Sequence, residues 1–276
     1  MPELPEVEIA ARNLRRWSTG KRIARIEADP AARRIFRPET PRSLVGALEG
    51  ARISEVSRIG KHLLVALEQG GAPVGLHAHL GMTGKWVRRA EGEQAPSHSR
   101  ARFLLDDGAT LHFRDPRLFG RLRVVPSAAF SAVPELTALG PDPLRDGIDA
   151  QRFGAALARS RRSVKVMLLD QALLAGVGNI YASEALFRAH VDPRRPGRSI
   201  QPAEARRIAQ AILAAMQETL DRDDGPEPTY VEEPGAENPF QVYGHQGERC
   251  PRCRKGIIAR VVLGQRSSFF CPACQR

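Results

Sequence analysis

Four cysteines near the end of the sequence have the spacing of a metal site. They form two Cys-x-x-Cys pairs separated by 17 residues, Cys250 with Cys253 and Cys271 with Cys274. Each pair can supply two thiolates, and an intervening hairpin would close them into a tetrahedron. A redox pair or two disulfides would use the same residue type, but this spacing favours one structural Zn²⁺. Four thiolates leave no open coordination position, so the metal would do no chemistry itself.

The start of the sequence predicts a nucleophile. Pro2 follows Met1, and a small second residue favours removal of the initiator methionine. Removal would expose a secondary amine that is partly unprotonated at neutral pH, because an α-amino group has a pKa of about 8. Such an amine can attack a sugar anomeric carbon and form an iminium, while Glu3 moves protons. Alternatively, Pro2 begins a helix, and Glu3 and Glu6 stabilise its N-terminal dipole.

The charge distribution indicates a polyanionic partner. The 276 residues include 42 Lys plus Arg and 31 Asp plus Glu, which gives a formal net charge of +11. The excess is uneven, since 223–248 carries seven acidic and no basic side chains and 249–276 carries seven basic and no acidic ones. A polyanion such as a nucleic acid fits this pattern. An arginine-rich composition that reflects genome bias would explain it equally well.

Several classes of protein are excluded by the sequence. No apolar run approaches the roughly 18 residues of a membrane span. The acidic, proline-broken amino terminus differs from a secretory signal. The cysteines cluster at one end instead of forming a disulfide framework. We therefore expect a cytoplasmic protein with no membrane association, whose length corresponds to about two domains.

The first half of the chain reads as one helix followed by short strands. Apolar residues recur at helical spacing over the first 20 positions. Seven short strands, typical of a sandwich or barrel, are predicted at 22–27, 51–58, 62–67, 74–79, 101–105, 110–113 and 121–125.

The second half is predicted to be helical up to residue 222. Helices are expected at 150–159, 164–169, 180–189 and 203–220, with a glycine turn at 176–179 and a terminal hairpin of 257–263 and 267–270. The fold class is therefore α+β and multidomain. Its expected parts are a β domain at 1–125, a linker at 126–148, a helical domain at 149–222, an acidic Pro/Gly-rich loop at 223–248 and a zinc-finger hairpin at 249–276.

Ordered motifs along the chain carry a family resemblance. The opening MPELPEVE resembles the formamidopyrimidine-DNA glycosylase and endonuclease VIII family, and the similarity is closest to the formamidopyrimidine branch. Further motifs of this family lie at 60–63, 79–84, 115–120, 168–171, 176–184 and 242–244, and in the four-cysteine finger with Gln265-Arg266. Together they cover nearly the whole chain.

The resemblance implies both a fold and a reaction. The fold is an N-terminal helix with a β-sandwich, then a helix–two-turn–helix domain and a zinc finger. The reaction is base-excision repair by a bifunctional glycosylase and AP lyase that removes oxidised purines (8-oxoguanine and formamidopyrimidines). Pro2 would attack C1′ of the damaged nucleotide, and the Schiff base would drive β,δ-elimination. The expected partner is double-stranded DNA with an oxidised base or abasic site, bound by a monomer.

The resemblance also implies roles for individual residues. The catalytic set is Pro2, Glu3, Lys61 and Arg266, with Glu6 in support. A flipped base leaves a hole in the stack, which Met82, Arg117 and Phe119 would fill. Further DNA contacts would come from His79, Lys165, Asn179 and Tyr243. From the pattern alone, Met82 and Phe119 could instead be core residues, and Arg266 an ordinary solvated arginine at a hairpin tip.

Two departures from the family leave the lesion preference open. Leu118 stands where the formamidopyrimidine branch commonly has arginine. Residues 223–241 replace the usual Gly/Thr-led loop that caps 8-oxoguanine with an acidic, proline-rich stretch. Because its charge would repel DNA, we expect it to point away from phosphates or to be mobile. The alternatives are an endonuclease VIII-like enzyme for oxidised pyrimidines and a non-catalytic zinc-finger protein that binds damaged DNA.

Overall fold

This computed structural model describes residues 2–223 and 225–276, which form two compact units. The first unit extends to Thr137 and includes the later segment 223–232, and the second contains 138–222 and 233–276. The expected removal of Met1 concerns a residue outside those described. None of the helices in the described part of the chain has the length and apolar character that a bilayer crossing requires.

Among the residues described, the first unit contains three helices and two antiparallel four-stranded sheets. Its helices are α1 (Leu4–Ser18), α2 (Pro41–Leu48) and the one-turn α3 (Pro134–Thr137), and 3-10 turns lie at Pro30–Phe36 and Ser127–Ala132. Its strands are β1 (Ile23–Ala28), β2 (Arg52–Ile59), β3 (His62–Gln69), β4 (Ala72–His79), β5 (Lys85–Arg89), β6 (Ser99–Leu105), β7 (Thr110–Arg114) and β8 (Arg121–Val125). The sheet orders are β1-β6-β7-β5 and β2-β3-β4-β8. Side chains from α1, α2 and both sheets form one hydrophobic core, as in a sandwich.

One strand and one eight-residue helix of this unit differ from what the sequence predicts. Trp86 and Val87 of β5 are both buried, but three flanking basic residues hide the alternation that predicts a strand. α2 begins after Thr40, whose hydroxyl accepts the N–H of Ser43 at 3.1 Å in a capping box. Its proline-rich start concealed that helix, although proline in a first turn is favourable.

The second unit is helical and ends in a two-stranded hairpin. Its helices are α4 (Pro143–Asp146), α5 (Ala150–Ala158), α6 (Val164–Leu168), α7 (Asn179–Arg188) and α8 (Pro202–Arg222), with a 3-10 turn at Gly197–Ser199, and its strands are β9 (Ala259–Leu263) and β10 (Arg266–Phe270). The predicted N-cap Asp149 accepts the N–H groups of Gln151 and Arg152. Phe187 of α7 shares a small core with Val242 and two of the cysteines, so the finger is packed against this helix.

Candidate active site and metal centre

The four cysteine sulfurs lie close enough together to bind one ion. All four Sγ atoms lie within 4.8 Å of one another. The Sγ atoms of Cys250 and Cys274 are 3.5 Å apart, and those of Cys253 and Cys271 are 3.8 Å apart. Tetrahedral zinc with bonds of about 2.3 Å separates its sulfurs by roughly 3.8 Å, so the cluster fits. All four cysteines are free, which excludes disulfides, and the centre is a site for one structural zinc.

Local contacts explain why this cluster requires a cation. The N–H of Gly256 donates to Cys253 Sγ at 3.3 Å and, with the N–H of Lys255, lowers the pKa of Cys253 to about 6. In contrast, burial and the adjacent sulfurs raise the pKa of Cys274. Four thiolates in one cluster would repel one another, and a divalent ion at the centre removes that cost.

Pro2 and two carboxylates lie at the buried start of α1. Glu3 is 0% exposed, and Pro2 is also buried. The N–H of Glu3 donates to Glu6 Oε2 at 2.9 Å, and the Glu3 side chain accepts the N–H of Glu6 in return. This capping box confirms that both carboxylates stabilise the helix terminus. The helix nevertheless begins at Leu4, so the interpretation in which Pro2 begins it is wrong.

Lys61 lies in the two-residue turn between β2 and β3, and this turn is tied to α1. Arg58 donates from Nε to Glu8 Oε2 at 2.8 Å and from Nη1 to the carbonyl oxygen of Gly60 at 3.0 Å. Burial raises the pKa of Glu8, but the hydrogen bonds and charges of Arg58 and Arg12 outweigh it and bring the pKa below its usual value. The ionised Glu8 therefore sets the position of the Lys61 turn relative to α1.

His79 and Met82 lie at the end of β4 and in the turn that follows it. The N–H of Gly81 donates to His79 Nδ1 at 3.0 Å. Gly81 has a φ of +63°, and a Cβ there would lie 2.4 Å from the carbonyl group of Phe119. Only glycine permits this approach, which packs the turn carrying Met82 directly against the turn carrying Phe119.

Asp115 joins the same two turns, and the sequence analysis assigned it no role. Its buried carboxylate accepts the hydroxyl of Thr83 at 2.6 Å and the N–H groups of Arg117 at 3.2 Å and Gly120 at 2.7 Å. A carboxylate with three donors is a rigid anchor. The signal was present in the sequence, because aspartate before a proline turn commonly accepts the N–H two residues further on.

Arg117 and Phe119 project from the anchored turn. Phe119 is 36% exposed, which excludes the core interpretation for this residue, while Met82 is half-buried. The guanidinium carbon atoms of Arg117 and Arg34 each lie 5.0 Å from the centre of the Phe119 ring. Leu118, in the left-handed region with a φ of +57°, packs against the hydrophobic core. The departure from the family at this position therefore adds to the core.

Lys165 and Asn179 form a buried cluster in the second unit. Lys165 on α6 is 0% exposed. Its Nζ donates to the carbonyl oxygen of Asn179 at 2.7 Å and to Ser183 Oγ at 2.6 Å, both on α7. Asn179 is the first residue of α7, where the helix dipole favours an anion. The cluster therefore fixes a cationic group and a helix N-terminus together.

Arg266 is exposed at the end of the finger hairpin. Gly264 and Gln265 both have positive φ, +54° and +62°, as in the tight two-residue turns that match strand twist. A Cβ at Gly264 would lie 2.9 Å from Val166 Cγ2, so the tip packs against α6. Asn179 Nδ2 donates to the carbonyl oxygen of Ser267 at 2.8 Å. The structure thus brings Arg266, Asn179 and Lys165 into one region.

Tyr243 is held in place by Glu184, a second residue that the sequence analysis missed. The buried carboxylate of Glu184 accepts the backbone N–H groups of Gln241, Val242 and Tyr243 at 2.9–3.0 Å. The Tyr243 ring lies 5.2 Å from that of Phe269. Glu184 is the last residue of the family motif at 176–184, but that motif does not indicate that its carboxylate holds the backbone of 241–243.

The start of the acidic segment folds onto the first unit. Asn13 Nδ2 donates to the carbonyl oxygen of Gly225 at 3.0 Å, and Glu227 forms an ion pair with Arg89. Tyr230 is buried, its hydroxyl donates to the carbonyl oxygen of Gly84 at 2.9 Å, and Lys85 Nζ lies 4.5 Å from its ring centre. The segment therefore has defined contacts with α1 and β5.

The predicted site residues divide between the two units. The first unit contains Pro2, Glu3, Glu6, Lys61, His79, Met82, Arg117 and Phe119, and the second contains Lys165, Asn179, Tyr243, Arg266 and the four cysteines.

Comparison with family models gives three consecutive matches. Residues 1–122 match the formamidopyrimidine-DNA glycosylase N-terminal domain, and residues 139–229 match the formamidopyrimidine-DNA glycosylase H2TH domain. Residues 247–276 match the zinc finger found in FPG and IleRS. These three matches cover most of the chain.

Similar proteins extend over the full length. The formamidopyrimidine-DNA glycosylase of Thermus thermophilus is 43% identical over 282 residues, covering 100% of this chain and 98% of that protein. A crystal structure of Lactococcus lactis Fpg with abasic-site DNA superposes with a TM-score of 0.87 at 28% identity and full coverage of both chains. A complex of the same enzyme with DNA containing an oxidised pyrimidine gives a TM-score of 0.86 at 29% identity, again with full coverage of both chains.

Proposed function

The chain belongs to the formamidopyrimidine-DNA glycosylase family, and on that basis we propose that it excises oxidised purines from double-stranded DNA through a Schiff base on Pro2. It is a DNA glycosylase of base-excision repair, an enzyme and not a passive binder of damaged DNA. The observation that carries the assignment of the nucleophile is the pair of buried carboxylates, Glu3 and Glu6, beside Pro2 at the start of α1.

The chemistry follows from an unprotonated proline amine. Once Met1 is removed, the Pro2 nitrogen attacks C1′, the C1′–base bond breaks, and the departing base takes a proton. The C1′–O4′ bond then breaks, O4′ takes a proton, and the nitrogen–C1′ bond becomes an iminium. The iminium withdraws electrons from the opened sugar, so that successive β- and δ-elimination expel the two phosphates. Glu3 is the group placed to exchange protons with the sugar. Its hydrogen bonds to the helix terminus hold that carboxyl group in one orientation.

We assign phosphate binding to side chains of both units. Lys61 and His79 serve in the first unit, and Asn179 and Arg266 in the second. The rigid hairpin turn and the α7 N-terminus support this assignment, because oriented cations and backbone dipoles bind phosphate diesters well. Buried Lys165 holds the start of α7, and we assign Tyr243 a further phosphate contact in the second unit.

We assign the void left by the flipped nucleotide to Met82, Arg117 and Phe119. An exposed aromatic ring and a flexible thioether can enter a base stack, and a guanidinium can bond the orphaned base. The buried Asp115 supports the role, because it joins both turns while Arg117 and Phe119 remain exposed.

The preference for oxidised purines is the finer part of the proposal. The motif 79–84 and the complete set Met82, Arg117 and Phe119 support the formamidopyrimidine branch. Oxidised pyrimidines are the second candidate, because the Lactococcus lactis enzyme has been crystallised with such a lesion. We further propose that the enzyme acts as a monomer and in the cytoplasm, where thiolates stay reduced.

Borohydride trapping on a panel of duplexes tests these assignments. Protein lacking Met1 is incubated with 8-oxoguanine, thymine glycol and abasic-site duplexes, and covalent adducts are counted. We expect an adduct with all three and the fastest excision of 8-oxoguanine opposite cytosine. Protein whose Pro2 nitrogen has been acetylated should still bind DNA but lose nearly all trapping, because an amide nitrogen cannot form an iminium. Full trapping by the acetylated protein would overturn the assignment of Pro2 as nucleophile, and faster excision of thymine glycol would overturn the lesion preference.

The anchored acidic segment gives a matched test of lesion choice. Tyr230→Phe removes only the hydroxyl that bonds Gly84, and Tyr243→Phe is the control at an aromatic residue of the second unit. If segment 225–232 shapes the base pocket, Tyr230→Phe changes the ratio of 8-oxoguanine to thymine glycol excision, while Tyr243→Phe weakens both equally. An unchanged ratio would exclude Tyr230 as a determinant of lesion preference.

A further inference from the structure

Three histidines form a cluster behind the proposed phosphate contact of the first unit. His62 lies directly opposite His79 in the β3–β4 register, and His77 lies two residues before His79. All three imidazoles therefore share one face of the sheet. The ring of His62 lies 5.0 Å from each of the other two rings. Neither His62 nor His77 has a role in the proposed reaction.

The proton on His79 is assigned by its backbone contact. Its Nδ1 accepts the N–H of Gly81 at 3.0 Å, so this nitrogen has no proton of its own. The neutral ring must then carry its proton on Nε2. Protonation of Nδ1 would set two N–H groups against each other and break the turn that carries Met82.

The His62–His77 pair cannot easily take up charge either. Nδ1 of His62 lies 2.8 Å from Nε2 of His77, and one proton suffices for that bond. His77 is buried, and its Nδ1 has no hydrogen-bond partner among the described residues. A second proton on the pair would create either two opposed donors or a buried unpaired donor.

The surrounding charges favour neutral imidazoles as well. Burial and the cations Lys61 and Arg121 lower the pKa of His79 to about 4, with a further contribution from His77. Burial, followed by its two histidine neighbours and the same cations, lowers the pKa of His62 to about 3.

His77 experiences a more mixed environment. Burial and Arg123 lower its pKa, Glu135 raises it, and Arg121 lowers it further, with a net effect below the ordinary value. Glu135 is itself paired with Arg123 at 2.7 Å, which limits its effect on the imidazole.

We propose that His62 and His77 are positioning residues that keep His79 a neutral Nε2–H donor to a DNA phosphate oxygen. This inference rests on the proposed function only in placing His79 against DNA. A neutral donor adds direction to the contact without placing a third cation beside Lys61 and Arg121. Its binding contribution releases no counterion, so it does not steepen the salt dependence.

The test compares the salt dependence of DNA binding at two pH values. Affinity for a duplex with a stable abasic-site analogue is measured against salt at about pH 8 and about pH 5.5, a range that spans ordinary histidine titration. We expect the wild-type slope to be the same at both values. His79→Gln keeps a neutral donor, so its slope should match wild type with an affinity loss of about tenfold or less.

Disrupting the cluster should allow His79 to become protonated at about pH 5.5. In His62→Ala, water reaches the imidazole, and we expect the slope to become steeper by about 0.9 at the lower pH as one extra cation meets the phosphates. The double variant His62→Ala/His79→Gln should lose this pH effect, which assigns it to His79. A wild-type slope that itself steepens, in a manner removed by His79→Gln, would overturn the proposal.

Nitrogen NMR of the wild-type complex tests the same inference without any variant. We expect His79 to show an unprotonated Nδ1 and a protonated Nε2 in the DNA complex, and two protonated nitrogens would refute it. Borohydride trapping on the same preparation separates the two hypotheses. Loss of all adducts would count against the proposed function, whereas normal trapping with a charged His79 would overturn only this inference.

Discussion

Two residues in each unit, Arg117 and Phe119 in the first and Lys165 and Asn179 in the second, are held in opposite ways. In the first unit, Arg117 and Phe119 are exposed, and the backbone beneath them is anchored by buried Asp115. In the second unit, Lys165 and Asn179 are themselves buried and fixed by hydrogen bonds. The difference follows from the tasks we assign. A side chain that enters a base stack must leave its resting place, whereas groups that shape a phosphate site bind best when already in position.

Removal of the zinc should have the largest effect on DNA binding, and it should act on the second unit alone. Removing the metal with a chelator should unfold the finger, because its core is small and shared with Phe187. We expect DNA affinity to fall by more than about 100-fold, since loss of the finger removes Arg266 and the support of Tyr243. Both tryptophans, Trp17 and Trp86, lie in the first unit, so tryptophan fluorescence should stay unchanged. A fluorescence change on chelation would show that loss of the metal also perturbs the first unit.

Glu184→Gln should destabilise the second unit by about 2–3 kcal/mol, because charge-assisted bonds to three backbone N–H groups are lost or weakened. Hydrogen exchange of the N–H groups of 241–243 measures the effect directly, and DNA affinity should fall with it. Glu218→Gln is the control, because Glu218 is an exposed partner of Arg188 and its loss should cost less than about 1 kcal/mol. Equal effects of the two variants would show that the clamp has no special role.

Phe119→Ala should change function and leave stability almost intact. Because the ring is exposed, we expect the free energy of unfolding to change by less than about 0.5 kcal/mol. The kcat/KM for excision of 8-oxoguanine should fall by roughly 10-fold to 100-fold, because no aromatic ring then occupies the gap left by the flipped nucleotide. Val262, which is 59% exposed on the finger, provides the matched control Val262→Ala with unchanged excision. A large loss of stability in Phe119→Ala would remove the distinction between the two units.

Acid should weaken the first unit gradually. The pKa values of His62 and His79 are lowered to about 3 and about 4 in the folded protein. Below the ordinary histidine pKa of about 6.5, the unfolded chain therefore binds more protons than the folded protein does. Stability is therefore fully present above about pH 6.5 and declines as the pH falls towards 4. Urea unfolding followed by tryptophan fluorescence measures this decline. His62→Phe should flatten it and exposed His98→Asn should not, and equal slopes would argue against the cluster as its source.

The sequence predicted the order of elements well where periodicity and caps were strong. α1, nine of the ten described strands and helices α5 to α8 were expected within a few residues, because alternating or helical apolar patterns are long there. β5 and α2 escaped because charged or proline-rich flanks interrupt those patterns. The zinc ligands were recognisable because Cys-x-x-Cys spacing is itself the geometry of a knuckle.

The supporting residues of the site could not be predicted in the same way. Asp115, Glu184 and the pair His62–His77 act through contacts that join distant elements, and those contacts depend on strand register and helix packing. The acidic segment illustrates the same limit. Its charge suggested repulsion from DNA, but the interactions of Glu227 with Arg89 and of Tyr230 with Gly84 exist only once β5 is in place.

The two-residue turn of the finger also constrains how this protein can vary. Successive side chains of a strand point to opposite faces of the sheet. The face on which Arg266 lies therefore depends on the number of residues in the turn, because the hydrogen bond from Asn179 to the carbonyl oxygen of Ser267 fixes the strand beside it. One residue inserted into this turn would keep every cysteine and every charged residue in the sequence, yet it would move the Arg266 side chain to the opposite face of the hairpin. Segment 225–232 has no strand register, so insertions there carry no such penalty. Strand parity therefore constrains length in the finger turn but not in segment 225–232.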